Sequence, residues 1–447
     1  MLSATESVCP VCLRRIAARK TARDGDVYLE KTCPEHGDFR TVLWRGLPAY
    51  EDWGGARNGA SPQPVCAARA DRGCPFDCGL CPEHRRPTCC VVMEVTARCN
   101  LACQHCFADA GRAQADPPVD AILDWSRALL ASGGPFNLQL SGGEPTLRDD
   151  LPEIVALVRS LGFGFVQVNT NGLRLAEEPA YARALKDAGL GCVFLQFDGL
   201  TDDVYRRIRG RALLSVKLAA IRNCSDAELG VVLVPTLVPG VNTSQIGEII
   251  RFGFAGIPAI RAVHFQPISY FGRFPRQPAD EDRITIPEVL RAIEGQTSGT
   301  IRAAHFSAPS AENAWCSFQG RFVVDESGAV TPAANPGVGC CGPAPLVQLG
   351  GAESVRRARQ SVARHWTFPE PGAPGPGDSL DEFLARDRRT FSISGMAFQD
   401  AWNLDLDRLR DCFLHAVTAE GRLVPLCAYN LSSTGGRALY RNGSSHV

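Results

Sequence analysis

A chain of 447 residues, 45% of them hydrophobic, with a formal net charge of −1, has room for one large domain with smaller appendages and the composition of an ordinary globular protein. The balanced charge excludes recruitment of nucleic acid by a global basic field, and no apolar run is long enough to span a bilayer, although peripheral membrane contact is left open. Nineteen cysteines, behind a start (Met1 to Glu6) that lacks the basic-then-apolar pattern of a signal peptide, lead us to expect a cytoplasmic protein whose thiols bind metal.

In chain order, Cys9-Pro10-Val11-Cys12 is answered by Cys33-Pro34-Glu35-His36. C-x-x-C facing C-x-x-H across a short hairpin predicts a tetrahedral site for zinc, or for iron in a rubredoxin-like ribbon, over residues 1–50. Residues 51–64 read as a linker. Cys74, Cys78 and Cys81 follow at C-x-x-x-C-x-x-C spacing, and Cys89 is a candidate to close them into a four-Cys cluster, so 51–90 is read as an auxiliary iron-sulfur segment. His84 is read as a solvated loop residue.

From Val91 strands and helices alternate. Strands are expected at Val91 to Val95, Asn137 to Ser141, Gly164 to Asn169, Cys192 to Phe197, Val231 to Leu237 and Ala262 to Pro267, with helices between them, one running from Asp203 through Ile221. This predicts an α/β fold with a parallel sheet, a partial TIM-like (β/α)6 barrel over 91–300, with its site at the strands' C-terminal ends. The unusual motifs sit there. Cys99, Cys103 and Cys106 follow the first strand, and three thiolates satisfy three irons of a 4Fe-4S cube, leaving the fourth open to a non-protein ligand. Gly142, Gly143 and Glu144 follow the second, where paired glycines admit a close ligand and the carboxylate suits an ammonium. Asn169 and Asn171 end the third strand; Gln196 and Asp198 end the fourth.

Beyond residue 300, Cys316, Cys340, Cys341, Cys412 and Cys427 are isolated in sequence, yet a cluster needs only convergence in space. Cys412 and Cys427 flank a strand-turn-strand pattern around Glu420-Gly421, so 301–447 is read as an auxiliary-cluster extension. His365 to Asp378 reads as a linker or lid, and Cys192 and Cys224 as small buried apolar side chains.

Together these motifs resemble the radical SAM superfamily. The resemblance implies that Cys99, Cys103 and Cys106 hold a cluster that binds S-adenosylmethionine, that Gly142, Gly143 and Glu144 face its methionine amino group, and that Asn169, Asn171, Gln196 and Asp198 lie near its ribose and adenine. His105 departs from the aromatic that often precedes the last cysteine. The flanking segments, Asp400-Ala401-Trp402-Asn403-Leu404-Asp405 among them, resemble the branch of archaeal tetraether lipid synthases and related pterin methylases. That branch implies three 4Fe-4S clusters, one mononuclear iron or zinc, and an electron donor such as a flavodoxin or ferredoxin. The expected activity is carbon-carbon bond formation or alkyl transfer on a lipid-like substrate, and a lipid tail predicts an apolar tunnel. The alternative is a maturase or methylase acting on a peptide, pterin or other natural-product precursor.

Overall fold

The computed structural model describes residues 2–54, 71–111, 115–309, 311–333, 338–339, 342–343, 351–369 and 389–441. Strands β1 (Ser3–Val8), β2 (Arg15–Arg23), β3 (Asp26–Cys33) and β4 (Gly37–Arg45) form an antiparallel sheet in that order. Its inner face follows the two-residue period of a strand: Ile16, Ala18 and Lys20 on β2, and Val27, Leu29 and Lys31 on β3, are buried. The two lysines are not core residues gone astray. Lys20 Nζ meets Asp405 at 2.5 Å, and Lys31 Nζ donates to Ser7 Oγ (2.9 Å) and to the Ala401 carbonyl (2.7 Å). Asp400, in the same short segment, takes Arg283 through two bonds of 2.8 and 3.0 Å. The Asp400 to Asp405 motif is therefore the clasp that fastens the ribbon to the main body.

The main sheet contains β5 (Cys90–Thr96), β6 (Asn137–Gly142), β7 (Val166–Thr170), β8 (Cys192–Gln196), β9 (Gly230–Val234), β10 (Thr236–Leu237) and β11 (Ile260–Pro267). Apart from the short β10, which pairs with β11, these lie side by side in chain order and all parallel. Every residue of Gly230–Val234 is buried, as expected for a parallel strand covered on both faces. The helix Leu151–Ser160 shows how the cover is made: Leu151, Ile154, Val155 and Val158 recur at helical spacing and are all buried, each contributing roughly 1.5–3 kcal/mol. Two expected elements are broken. The helix from Asp203 divides at Gly210, which takes φ +82° after Asp202–Arg209, and resumes at Leu214–Asp226; the strand ending at Leu237 is interrupted at Pro235, which has no N–H to donate.

The later strands are β12 (Ser317–Val324), β13 (Val330–Pro332), the pair β14 (Val338–Gly339) and β15 (Gly342–Pro343), β16 (Thr390–Met396), β17 (Leu414–Val417) and β18 (Leu423–Pro425). Apart from β14 and β15, which pair only with each other, they extend the same sheet at both edges: β16 lies parallel to β11, followed by β12 and β13, while β17 lies parallel to β5, followed by β18. The β17–β18 hairpin is the one expected around Gly421. His365 and Trp366 end a helix, Gly351–Trp366, rather than starting a linker; residues 370–378 lie outside the described residues, as do 55–64. Trp366 stacks on Phe194 of β8 with centroids 5.6 Å apart. Cys192 and Cys224 are buried, as read. Among the described residues no helix is long and apolar enough to cross a membrane.

Candidate functional site

A cavity of about 950 Å³ runs along the inner face of β5 to β9, from Cys90 and Asn137 where β5 and β6 start to the loops past the strand ends. The loop after β5 is pinned from two directions. Gly143 N donates to Thr96 O and Glu144 N to Arg98 O, each at 2.8 Å, so the Gly142-Gly143 backbone lies against the cysteine loop. A Cβ on either glycine would come within 2.1 Å of those carbonyls, which is why only glycine fits. From the other side, Cys106 and Arg273 exchange backbone bonds (3.0 and 3.1 Å), and Arg273 Nε donates to Cys103 O at 3.0 Å. Cys99, Cys103 and Cys106 all line the cavity. Burial pushes the Cys99 thiol up to about 11, with Glu144 and the other two cysteines adding to the rise. Three cysteines lining one pocket at C-x-x-x-C-x-x-C spacing are a donor set suited to a 4Fe-4S cluster, which would hold them as thiolates.

Glu144 is buried at the centre of the neighbouring loops. Oε1 accepts from Thr146 Oγ1 and Thr170 Oγ1, both at 2.6 Å, and from Thr146 N at 3.1 Å; Oε2 accepts from Asn171 N at 2.7 Å. Four bonds fix its carboxylate across the ends of β6 and β7. Asn171 Nδ2 reaches Asn100 Oδ1 inside the cysteine loop (2.7 Å), and Asn169 Nδ2 donates to Gln139 Oε1 (3.2 Å). Gln196, with its amide oxygen turned to Arg209, accepts from that guanidinium at 3.0 and 3.3 Å.

Asp198 sits apart from the expectation. It is fully buried and does not line the cavity; it grips Arg209 at 2.7 and 2.8 Å, and Arg209 is the residue that lines the wall. Its influence on any ligand passes through that guanidinium, which also lies beside the Cys103 side chain. Lys217 is buried beneath Asn171, donating to its carbonyl at 2.5 Å, and burial lowers its ammonium to about 8. Neither Arg209 nor Lys217 stands out in sequence, since each lies within an ordinary helical segment.

The remaining thiols fall into separate groups. Ligand atoms of Cys9, Cys12, Cys33 and His36 all lie within 4.8 Å of one another, with Cys12 and Cys33 sulfurs 4.0 Å apart and His36 Nδ1 3.4 Å from Cys33 Sγ. A tetrahedral zinc with Zn–S of about 2.3 Å separates its sulfurs by roughly 3.8 Å, so the set fits one ion. Burial works against ionisation of Cys33, but hydrogen bonds from His36 and the Glu35 amide outweigh it and bring the thiol down to about 6. Cys74, Cys78 and Cys81 also converge, Cys74 and Cys81 both acting on the Cys78 thiol and Cys74 on that of Cys81. Cys89 lines the central cavity, packed against Ala311 and Val355, with Cys90, Arg359 and Glu312 acting on its thiol.

Cys316, Cys412 and Cys427 act on one another, and Arg408 Nε donates to Cys316 Sγ at 3.0 Å. Cys340 and Cys341 lie outside the described residues. His84 is buried, not solvated: its Nε2 lies 2.7 Å from Cys412 O and 3.2 Å from His415 Nε2, and burial lowers the ring to about 4. Glu312, buried on the cavity wall beside Ser317, belongs to no motif and was not legible in sequence.

The chain is 33% identical to 7,8-dihydro-6-hydroxymethylpterin dimethyltransferase of Methanocaldococcus jannaschii, over 95% of this chain and 93% of that protein. The Radical SAM superfamily matches residues 93–253. The chain belongs to the radical SAM superfamily. Within it, this enzyme falls in the branch of that dimethyltransferase, and the HMPTM N-terminal zinc ribbon domain matches residues 1–45. A probable GTP 3′,8-cyclase of Methanothermobacter thermautotrophicus is 31% identical over 38% of this chain and 55% of its own length. The Fe-coproporphyrin III synthase of Methanosarcina barkeri is 36% identical over 46% and 49%. Among solved structures, Streptococcus suis SuiB overlaps at a TM-score of 0.40 and 16% identity, covering 48% of this chain and 47% of that one. Of the two activities joined by the sequence resemblance, the full-length match is to the pterin methylase.

Proposed function

We propose that this radical SAM enzyme transfers an alkyl group to, or forms a carbon-carbon bond on, an unactivated carbon of a pterin. The observation that carries the reading is the 33% identity to a pterin dimethyltransferase along 95% of the chain, ribbon included. The cavity accommodates it: Gln139, Gln167, Asn169, Gln196, Gln266 and Gln319 bring amides to a lining that is otherwise largely apolar, the mixture that holds and orients a hydrogen-bonding heterocycle.

S-adenosylmethionine and a 4Fe-4S cluster, when bound, supply a 5′-deoxyadenosyl radical able to take hydrogen from an unactivated carbon. Cys99, Cys103 and Cys106 hold the cluster. The Gly142-Gly143-Glu144 loop meets the methionine amino group, and Asn169, Asn171 and Gln196 flank the nucleoside, with Asp198 acting through Arg209. The parallel strands form the partial (β/α)6 barrel that shields this site from water. Cys74, Cys78 and Cys81, and Cys316, Cys412 and Cys427, hold two auxiliary clusters fed by a low-potential flavodoxin or ferredoxin, and the ribbon holds one zinc. The chain divides accordingly into ribbon (1–50), auxiliary segment (51–90), barrel (91–300) and extension (301–447).

The test is anaerobic reconstitution followed by reductant-dependent release of 5′-deoxyadenosine with pterin, peptide and lipid candidates. About twelve irons per chain and pterin-stimulated release are expected; release stimulated only by peptide or lipid overturns the pterin reading.

A further inference from the structure

Glu312 lies in the segment that leads into β12, only 5% exposed, yet on the wall of the central cavity. One oxygen accepts from Ser317 Oγ, and among the described residues no other hydrogen bond reaches the carboxyl group. Arg408 favours its charged form only through space, since the Arg408 Nε and Nη2 are committed to Cys316 Sγ and the Ala397 carbonyl. Burial accordingly raises the carboxyl to about 8. A buried carboxyl with one neutral partner is costly unless something in the cavity supplies donors. Glu312 is thus a buried carboxyl with a single hydrogen bond among the described residues, on the wall of the cavity.

Carboxylates are satisfied best by two parallel N–H donors on one planar group. The pyrimidine half of a pterin carries such a pair, N3–H beside the 2-amino group, with no net charge. An alkyl chain offers neither donor, and a peptide backbone offers them singly. Resting on the pterin reading above, we propose that Glu312 is the specificity-determining residue that reads the 2-amino-4-oxo edge of the substrate ring. It touches the substrate away from the reacting carbon, and Ser317 orients it.

The test uses the reconstituted holoenzyme with S-adenosylmethionine and measures equilibrium binding by pterin fluorescence, comparing 6-hydroxymethyl-7,8-dihydropterin with its lumazine analogue, which carries a 2-oxo group in place of the 2-amino group. The native enzyme is expected to bind the dihydropterin about 100-fold more tightly than the lumazine, because the analogue keeps its N3–H but sets a 2-oxo acceptor in place of the second donor against the other carboxylate oxygen. In Glu312→Gln, whose amide can donate to the 2-oxo group, the ratio is expected to fall to within about 5-fold. Should that variant fail to fold, the native ratio alone decides: a ratio near one overturns the assignment. If dihydropterin is bound and converted but Glu312→Gln keeps the native ratio, Glu312 is not the reader and the pterin reading survives. If neither pteridine binds and a peptide or lipid drives 5′-deoxyadenosine release, both fall together.

Discussion

Arg209 grips Asp198 through two hydrogen bonds of 2.7 and 2.8 Å, both side chains are buried, and only the arginine reaches the cavity. The pair brings a fixed positive charge to the cavity wall beside Cys103. Removing one partner strands the other: Asp198→Asn is expected to cost about 3–5 kcal/mol of stability, whereas Asp198→Asn combined with Arg209→Met recovers most of it. Urea midpoints of the three proteins check this. Equal midpoints for the single and double variants would show that the pair is not the source of the loss.

The approach of the Gly142-Gly143 backbone to the cysteine loop is a second sharp constraint. Gly143→Ala would place a methyl 2.1 Å from Arg98 O, and because that atom is backbone the loop must shift. S-adenosylmethionine affinity is expected to fall at least about tenfold at a cost of roughly 1–3 kcal/mol. Equilibrium dialysis with labelled S-adenosylmethionine measures it, and unchanged affinity would mean the close packing does not shape the cofactor site.

Glu312 makes stability depend on pH. Its folded carboxyl titrates near 8 and its unfolded one near 4.5, so between those values the folded chain holds a proton that the unfolded chain has released. Stability therefore declines as pH rises from about 4.5 to about 8 and levels off above. Glu312→Gln removes this dependence, so the stability of the native protein relative to the variant should fall across that window. Parallel thermal unfolding curves between pH 5 and 8.5 reveal it; a constant difference would place the carboxyl in a wetter setting.

Zinc in the ribbon should hold more than the ribbon. Lys20 and Lys31 reach from β2 and β3 to Asp405 and the Ala401 carbonyl, so loss of Cys33 loosens the clasp that also carries the Asp400–Arg283 pair. Cys33→Ser is expected to lose one equivalent of zinc and to expose the 400–405 segment to amide exchange, while His36→Cys keeps the metal. Mass-resolved hydrogen exchange, read beside metal analysis, would contradict this if the segment stayed protected without zinc.

The legible parts of this molecule are those written locally. Four ligands at C-x-x-C and C-x-x-H spacing declare the ribbon, apolar runs such as Gly230–Val234 declare buried parallel strands, and Gly421 declares the hairpin that brings Cys412 toward Cys427. What sequence could not show depends on partners far along the chain. β16 and β17 join opposite edges of one sheet, a pairing no local period encodes. His84 stands among Arg85 and Arg86 and reads as exposed, yet it is buried against His415, 331 residues away. Asp198 carries the expected motif, but its role passes to Arg209, and Glu312 has no motif at all.

The central claim, radical chemistry on a pterin, is tested most directly by following both products of one anaerobic reaction by mass spectrometry. With S-adenosylmethionine, reductant and 6-hydroxymethyl-7,8-dihydropterin, the native enzyme should form 5′-deoxyadenosine together with a pterin whose mass has risen, and Cys103→Ala should form neither. An unaltered pterin beside 5′-deoxyadenosine released equally well without it would contradict the account.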